Sequence, residues 1–389
     1  MQPVIKSLGA ALAAATVALS AFAAQAEDGV SADKIVFGQA AALEGPAAAL
    51  GAGMRTGLLA AFAEANAAGG VHGRRIELLS YDDGYEPDRS IEQVRKLINE
   101  DKVFGLIGPV GTPTSKATQP IATEAKVPFV GPFTGAGFLR EAALGNVVNV
   151  RATYAAETET WIQYLVDQHK LKNIAILYQD DSFGRVGLDG VTKALERRGM
   201  KLVAEGTYPR NTTTVKSALL TIRKANPDAV VMVGAYKPIS EFIKLSRTLK
   251  FDAVFVNISF VGSDALAKEL GDKGEGVIVS QVVPFPWDDS NPLIKRYQAA
   301  LAAHDPAAKP GFVSLEGYLV GRLAIAALET AGKDVTRESF LQAIWSTGTF
   351  DFDGQKMSFA ADDNQGMDEV FMTQIQKDGS FKPLLKPAS

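Results

Sequence analysis

Between residues 34 and 132, four short apolar runs alternate with amphipathic segments, and few architectures can accommodate that order. KIVFGQA (34–40), RRIELLSYDD (74–83), VFGLIG (103–108) and VPFVGP (127–132) read as buried strands. GMRTGLLAAFAEANAAGG reads as a helix halted by Gly69 and Gly70. PDRSIEQVRKLINED sets Ile91, Val94 and Ile98 at helical spacing, with Pro87 near its start. Strand–helix–strand succession calls for a parallel sheet covered by helices on both faces. The order then recurs. A helix from about Ala155 to His169 precedes the strand NIAILYQDD (173–181), and SFGRVGLDGVTKALERRG makes the next helix. KLVAEGTY, AVVMVG (229–234), AVFVN (253–257) and GVIVS (276–280) supply further strands, with TTVKSALLTIRKANP as a helix among them. A chain of 389 residues exceeds one ordinary core, so the expectation is two similar α/β lobes.

No Gly/Ser-rich linker separates the lobes, so the chain is expected to cross between them in extended segments. Candidates are VVNVRATY (147–154), VVPFPW (282–287) and a third near TFDFDGQKMSF (349–359). Helices at about 291–304, 313–331 and 336–346 would return to the first lobe. The expected division is residues 27–151 with 284–349 for one lobe, and 152–283 with 350–389 for the other.

The first 26 residues carry one lysine, Lys6, before an alanine-rich run that ends in Ala24-Gln25-Ala26. That is the charged start, short apolar middle and small-residue end of a secretory signal peptide, expected to be cleaved after Ala26. The chain has no cysteine, hence neither a disulfide nor a thiol for a lipid anchor, and a soluble periplasmic protein is the expectation. Its net charge of −4, with both signs interspersed, argues against a nucleic-acid-binding surface.

In open α/β sheets, ligands sit beyond the carboxyl ends of the strands, beside helix N-termini that favour anions. The loop in LIGPVGTPTSKATQP (106–120) has that position: Gly108 and Gly111 loosen the backbone, while Thr112, Thr114 and Ser115 supply hydroxyls. It reads either as a carboxylate cradle or as a capped helix start. A second hydroxyl loop, GPFTGAGFLR (131–140), adds Phe133, Thr134 and Gly135. In the second lobe, Phe183 and Tyr236 stand at strand ends. Enzymatic patterns fail. The three histidines (72, 169 and 304) lack metal-ligand spacing, GTPTSKA is not a phosphate loop, and neither G-x-G-x-x-G nor G-x-S-x-G is in place. The acid pairs Asp82-Asp83, Asp180-Asp181, Asp288-Asp289 and Asp362-Asp363 read as turn and cap residues.

GPAAALG (45–51), AGGVHGRRIELLSYDDGYEPDRSIEQVRKLI (68–98), GLIGPVGT and AILYQDDSFGRVG, in that order and spacing, resemble the type I periplasmic binding proteins of the leucine/isoleucine/valine-binding branch. The resemblance implies two Rossmann-like lobes joined by three crossovers, with a ligand in the cleft. It implies that Thr112 binds the ligand carboxylate, that Phe133, Thr134 and Gly135 touch the ligand head, and that Phe183, before Gly184, covers it. Tyr236 is the tyrosine of a Gly-x-Tyr-x-Pro segment. Where amino-acid-binding members place a glutamate for the ligand ammonium, this chain has Ser259, followed by Phe260. Either another acid such as Glu316 or Asp181 substitutes, or the ligand lacks an α-amino group. Relatives often carry a cysteine pair bridging positions like Tyr85 and Gly111; without it, Tyr85 is free to pack over the hydroxyl loop and into the pocket. The implied protein is not an enzyme, carries no cofactor or metal, and works as a monomer with an ABC permease of the inner membrane. The first ligand expected is a neutral, branched-chain-type amino acid, and the second an aromatic or aliphatic carboxylate without an amine. An exported hydrolase using an acid pair and a ligand-presenting sensory protein are the other classes.

Overall fold

The structure is a computed structural model, and it describes residues 27–385; the expected signal peptide, 1–26, lies outside them. The first sheet is parallel throughout. It is formed by β1 (Lys34–Ala41), β2 (Arg75–Asp82), β3 (Gly105–Ile107), β4 (Phe129–Val130) and β5 (Val147–Val148), in the order β2-β1-β3-β4-β5. Its helices are α1 (Ala48–Ala67), α2 (Pro87–Asn99) and α3 (Thr112–Glu124).

The second sheet begins with β6 (Ile174–Gln179), β7 (Ala204–Tyr208), β8 (Ala229–Val233), β9 (Val254–Asn257) and β10 (Ile278–Gln281), which are parallel where they pair. Around it lie α4 (Tyr154–Ile162), α5 (Ser182–Glu196), α6 (Lys216–Lys224), α7 (Tyr236–Thr248) and α8 (Ser263–Leu270). Every residue of β6 and β8 is buried, which is why these strands read as unbroken apolar runs rather than alternating ones.

The chain then returns. α9 (Pro292–His304) and α10 (Phe312–Ala331) pack on α1, and α11 (Arg337–Thr347) packs on α10. The α1–α10 contact is backbone against backbone: a Cβ on Gly57 would stand 2.0 Å from the Ser314 carbonyl oxygen, and one on Gly317 would stand 2.3 Å from that of Met54.

Two features depart from the sequence reading. The segment expected as the third crossover folds instead into a hairpin, β11 (Thr349–Phe352) and β12 (Gln355–Ser358), turning at Asp353 and Gly354, both with positive φ. Phe359, just beyond it, packs on Trp345 of α11 with ring centroids 6.0 Å apart, and Arg322 of α10 covers Phe352. The hairpin therefore leans on the first lobe, and the chain passes to the second sheet only between Gln365, which bridges to Asn149, and Phe371. The second difference is that β13 (Phe371–Ile375) and β14 (Phe381–Leu385) extend the second sheet antiparallel, giving the order β14-β13-β10-β9-β8-β6-β7. Among the described residues no helix is long and apolar enough to cross a membrane.

Candidate ligand-binding cleft

Parallel strands bring all their following loops to one edge, and the two sheets turn these edges toward each other. From the first lobe come the loop after β2 (Tyr85), the loop after β3 (Gly108–Thr112) and the loop after β4 (Phe133–Gly135). From the second come Phe183 at the start of α5 and Ser259–Phe260 after β9. The Phe260 ring lies 5.8 Å from Tyr85, 5.2 Å from Phe133 and 4.7 Å from Phe183. All four side chains are buried, so an aromatic-walled junction spans the two lobes.

The two hydroxyl loops of the first lobe are tied together. Phe133 N–H donates to Pro109 O at 2.8 Å, Gly111 N–H to Phe133 O at 3.2 Å, and the Thr112 and Thr134 hydroxyls meet at 2.7 Å. Gly111 needs its lack of a side chain: its φ is +105°, and a Cβ there would stand 2.2 Å from the Tyr85 ring. Tyr85 thus packs directly over the hydroxyl loop. Thr114 does not cap α3 from outside; its hydroxyl folds back onto Val110 O at 2.5 Å and Gly111 O at 3.0 Å. Ser115 Oγ is buried without a hydrogen-bond partner. Gly135 accepts the Tyr154 N–H at 2.8 Å. Tyr236 stands apart from the ring cluster, at the seam between lobes, where its hydroxyl accepts the Ala49 N–H at 3.4 Å.

Three charged side chains complete the cleft, and Arg151, in the first crossover, is at their centre. Its guanidinium lies 4.9 Å over the Phe133 ring, its Nη2 donates to Ser259 Oγ, and it is flanked by Glu157 of α4 and Glu316 of α10, each at 3.6 Å. Glu157 is well satisfied: it accepts the Ser259 N–H (2.9 Å), the Ser259 hydroxyl (2.8 Å) and the Ser280 hydroxyl (2.5 Å). Ser259 therefore bridges Arg151 to Glu157. Burial works against the charge on Arg151, but Glu316, Tyr154 and Glu157 together outweigh it and hold its pKa above the usual value. Burial pushes the Glu316 carboxyl up to about 7; Arg151 pulls it down, Glu157 pushes it up and Arg140 pulls it down. Burial likewise raises the Tyr154 phenol to about 12.

Arg151 and Glu157 were not anticipated from sequence. Both leave a signal: Arg151 is the only charge in VVNVRATY, and Glu157 shares the buried face of α4 with Tyr154, Thr158 and Trp161.

The lobes are also clasped at the rim. Arg210, after β7, meets Glu86 of the first lobe at 2.6 Å and Asp181 at 3.1 Å, and Asn211 Nδ2 donates to Glu86 at 2.7 Å and to Gly84 O at 3.0 Å. Gln179 Nε2 donates to the Tyr85 hydroxyl at 3.3 Å. The acid pairs are spent on local structure: Asp82 accepts from Leu43, Glu44 and Gly84, Asp83 from Tyr85 and Ser90, and Asp181 from Phe183 at the start of α5.

Two parallel α/β lobes that meet strand-end to strand-end over a buried polar and aromatic junction define a two-lobed binding protein. The chain belongs to the periplasmic binding protein family, whose model matches residues 34–380. It is similar to a crystal structure of a possible leucine/isoleucine/valine-binding protein from Rhodopirellula baltica, with 38% identity, a TM-score of 0.87, and coverage of 93% of this chain and 98% of that one. A substrate-binding periplasmic protein from Ralstonia solanacearum superposes with a TM-score of 0.84 at 25% identity, over 90% of this chain and all of that one (100%). Among curated relatives, the leucine-, isoleucine-, valine-, threonine-, and alanine-binding protein of Pseudomonas aeruginosa is 23% identical over 320 residues, 82% of this chain and 83% of the relative.

Proposed function

We propose that this chain is the substrate-binding protein of an ABC importer and encloses a neutral, branched-chain-type amino acid between its lobes. The observation that carries this reading is the junction itself: the first lobe brings the paired hydroxyls of Thr112 and Thr134 with the rings of Tyr85 and Phe133, and the second sets Phe260, backed by Phe183, against those rings. Hydroxyls and loop backbone would hold the polar head, and the rings would wall the apolar side chain. An amino-acid-sized ligand gains at most about 1.5 kcal/mol per heavy atom. Micromolar binding needs about 8 kcal/mol, so the ligand must be nearly fully enclosed, as closure of two lobes provides. The names of the relatives point to the same ligand class.

In this reading residues 1–26 are a cleaved signal, the mature protein is a periplasmic monomer without catalytic activity, and a membrane permease receives the ligand. The lobes divide at 151/152 and 283/284, with Gly135 and Tyr236 at the margin of the site. A second reading, a carboxylate lacking an amine, is favoured by Ser259 standing where an acid would meet the ammonium. A thermal-shift panel on the purified mature protein, covering aliphatic and aromatic amino acids and their amine-free counterparts, tests both. Ligands bound tightly raise the melting temperature by mass action. If no member of the panel shifts it, the cleft is not a site for such ligands.

A further inference from the structure

We propose that Arg151 and Glu316 together grip the charged head of an α-amino acid, Arg151 taking its carboxylate and Glu316 its ammonium. This rests on the reading of the cleft as a small-ligand site and supplies the amine partner that Ser259 does not.

The two acids beside Arg151 are in different situations. Glu157 accepts three hydrogen bonds from Ser259 and Ser280 and is a structural counter-ion. Glu316 is almost as deeply buried, yet no hydrogen bond reaches its carboxylate among the described residues; its Oε1 stands 3.6 Å from Arg151 Nε, an ion pair without a hydrogen bond. Arg151 is equally unspent. Its Nη2 is held by Ser259, but Nε and Nη1 are buried with no acceptor. Buried polar groups are normally satisfied, and charged ones nearly always. Here a cation and an anion lie side by side with free valences, at the wall of an aromatic-lined cleft.

The spacing of the pair matters. In an α-amino acid the ammonium and carboxylate are attached to one carbon and lie roughly 2.5–3.5 Å apart, close to the Arg151–Glu316 spacing. A zwitterion placed against the pair alternates four charges, each next to two of opposite sign. Phe133, stacked under the same guanidinium, and Phe260 beyond it then meet the side chain. Thr112 and Thr134 add neutral hydroxyls to a carboxylate whose charge Arg151 balances. An amine-free acid would satisfy Arg151 but would set its carboxylate against Glu316.

The two ligand types have opposite proton linkage. The charged groups facing Glu316 are Arg151, Glu157 and Arg140; Arg140 is held down to about 9 by burial and by Arg151, so it keeps its proton at neutral pH. Glu316, near 7, is the group that titrates. An arriving ammonium favours its carboxylate and releases protons; an amine-free acid favours its protonated form and takes protons up.

Isothermal titration of the wild-type protein at pH 7, in two buffers of different ionisation enthalpy, reads this sign directly and needs no variant. Isoleucine or valine should bind with release of up to about half a proton, and 4-methylpentanoate should bind much more weakly, with uptake. Glu316→Gln, nearly isosteric and checked by its melting curve, should lose at least 30-fold in amino-acid affinity and abolish the release, while the amine-free acid gains. Amino-acid binding with proton uptake, or with unchanged affinity in Glu316→Gln, overturns the assignment and leaves the amino-acid reading standing. Binding of amine-free acids alone also overturns it. No binding of either type defeats the cleft reading itself.

Discussion

The clasp at the rim makes a quantitative prediction about closure. Glu86 stands just before α2, in the loop after β2, and its carboxylate crosses to the second lobe twice, to Arg210 Nη2 at 2.6 Å and to Asn211 Nδ2 at 2.7 Å. Both contacts belong to the closed arrangement, so Glu86→Ala removes stabilisation from that state alone. In a buried setting, hydrogen bonds to a charge contribute about 1.5–3 kcal/mol each. Glu86 is 41% exposed, however, and solvent screening brings exposed pairs down to about 0.2–1 kcal/mol. Two such contacts give about 0.4–2 kcal/mol. Because ligand affinity is coupled to the closed state, that loss raises Kd about 2- to 30-fold. It should act mainly on the dissociation rate, since the clasp forms after the ligand has entered. Stopped-flow fluorescence and titration calorimetry measure the two quantities. Arg210→Ala should cost a similar amount, and the double variant less than the sum, because the two share one contact. An unchanged Kd in Glu86→Ala, at physiological salt, would show that the clasp is an incidental surface pairing and that closure is held by the contacts of the cleft itself.

Three further outcomes follow from particular contacts. Gly57→Ala sets a Cβ 2.0 Å from the Ser314 carbonyl oxygen and must separate α1 from α10; a cost of about 3 kcal/mol or more and a fall in melting temperature of about 5–10 °C are expected, and an unchanged melting curve would contradict the close packing. Asp83 has its carboxyl raised by burial to about 6 from an ordinary 3.8, so the folded state holds this proton more tightly than the unfolded chain does. Its contribution is present below pH 4 and is lost as pH rises through about 6, a swing of up to about 3 kcal/mol; Asp83→Asn should flatten that part of the pH profile in urea unfolding, and parallel profiles for the two proteins would refute it. Thr112→Ala leaves the Thr134 hydroxyl without its 2.7 Å partner and removes a donor from the cradle; calorimetry should show about a 5- to 10-fold weaker Kd, and equal affinity would remove Thr112 from the head-group site.

The parallel parts of both sheets could be read from sequence because a strand covered on both faces must be apolar along its whole length, and β6 and β8 are. The antiparallel additions escaped because they obey other rules. The Asp353-Gly354 and Asp378-Gly379 pairs are hairpin signals, and their meaning is local: each joins two neighbouring strands rather than two lobes. In the cleft, the loop residues were accessible to sequence reasoning through their position after strands, which the βα order dictates. Arg151 and Glu157 were not: they flank each other, but the partners that complete the cluster lie far along the chain, Ser259 and Ser280 for Glu157 and Glu316 for Arg151. No periodicity encodes such a pairing, yet a weaker constraint does. A charge cannot be buried alone without a cost of several kcal/mol. One lone charge in an apolar segment therefore requires another elsewhere, of opposite sign, brought to it by the fold. Arg151 in VVNVRATY and Glu316 in FVSLEGYLVG meet that description, and Glu157 is the one acid on the buried face of α4. With Arg140 beside them the set is two acids and two bases, and a zwitterion, itself without net charge, is the ligand that leaves that balance undisturbed.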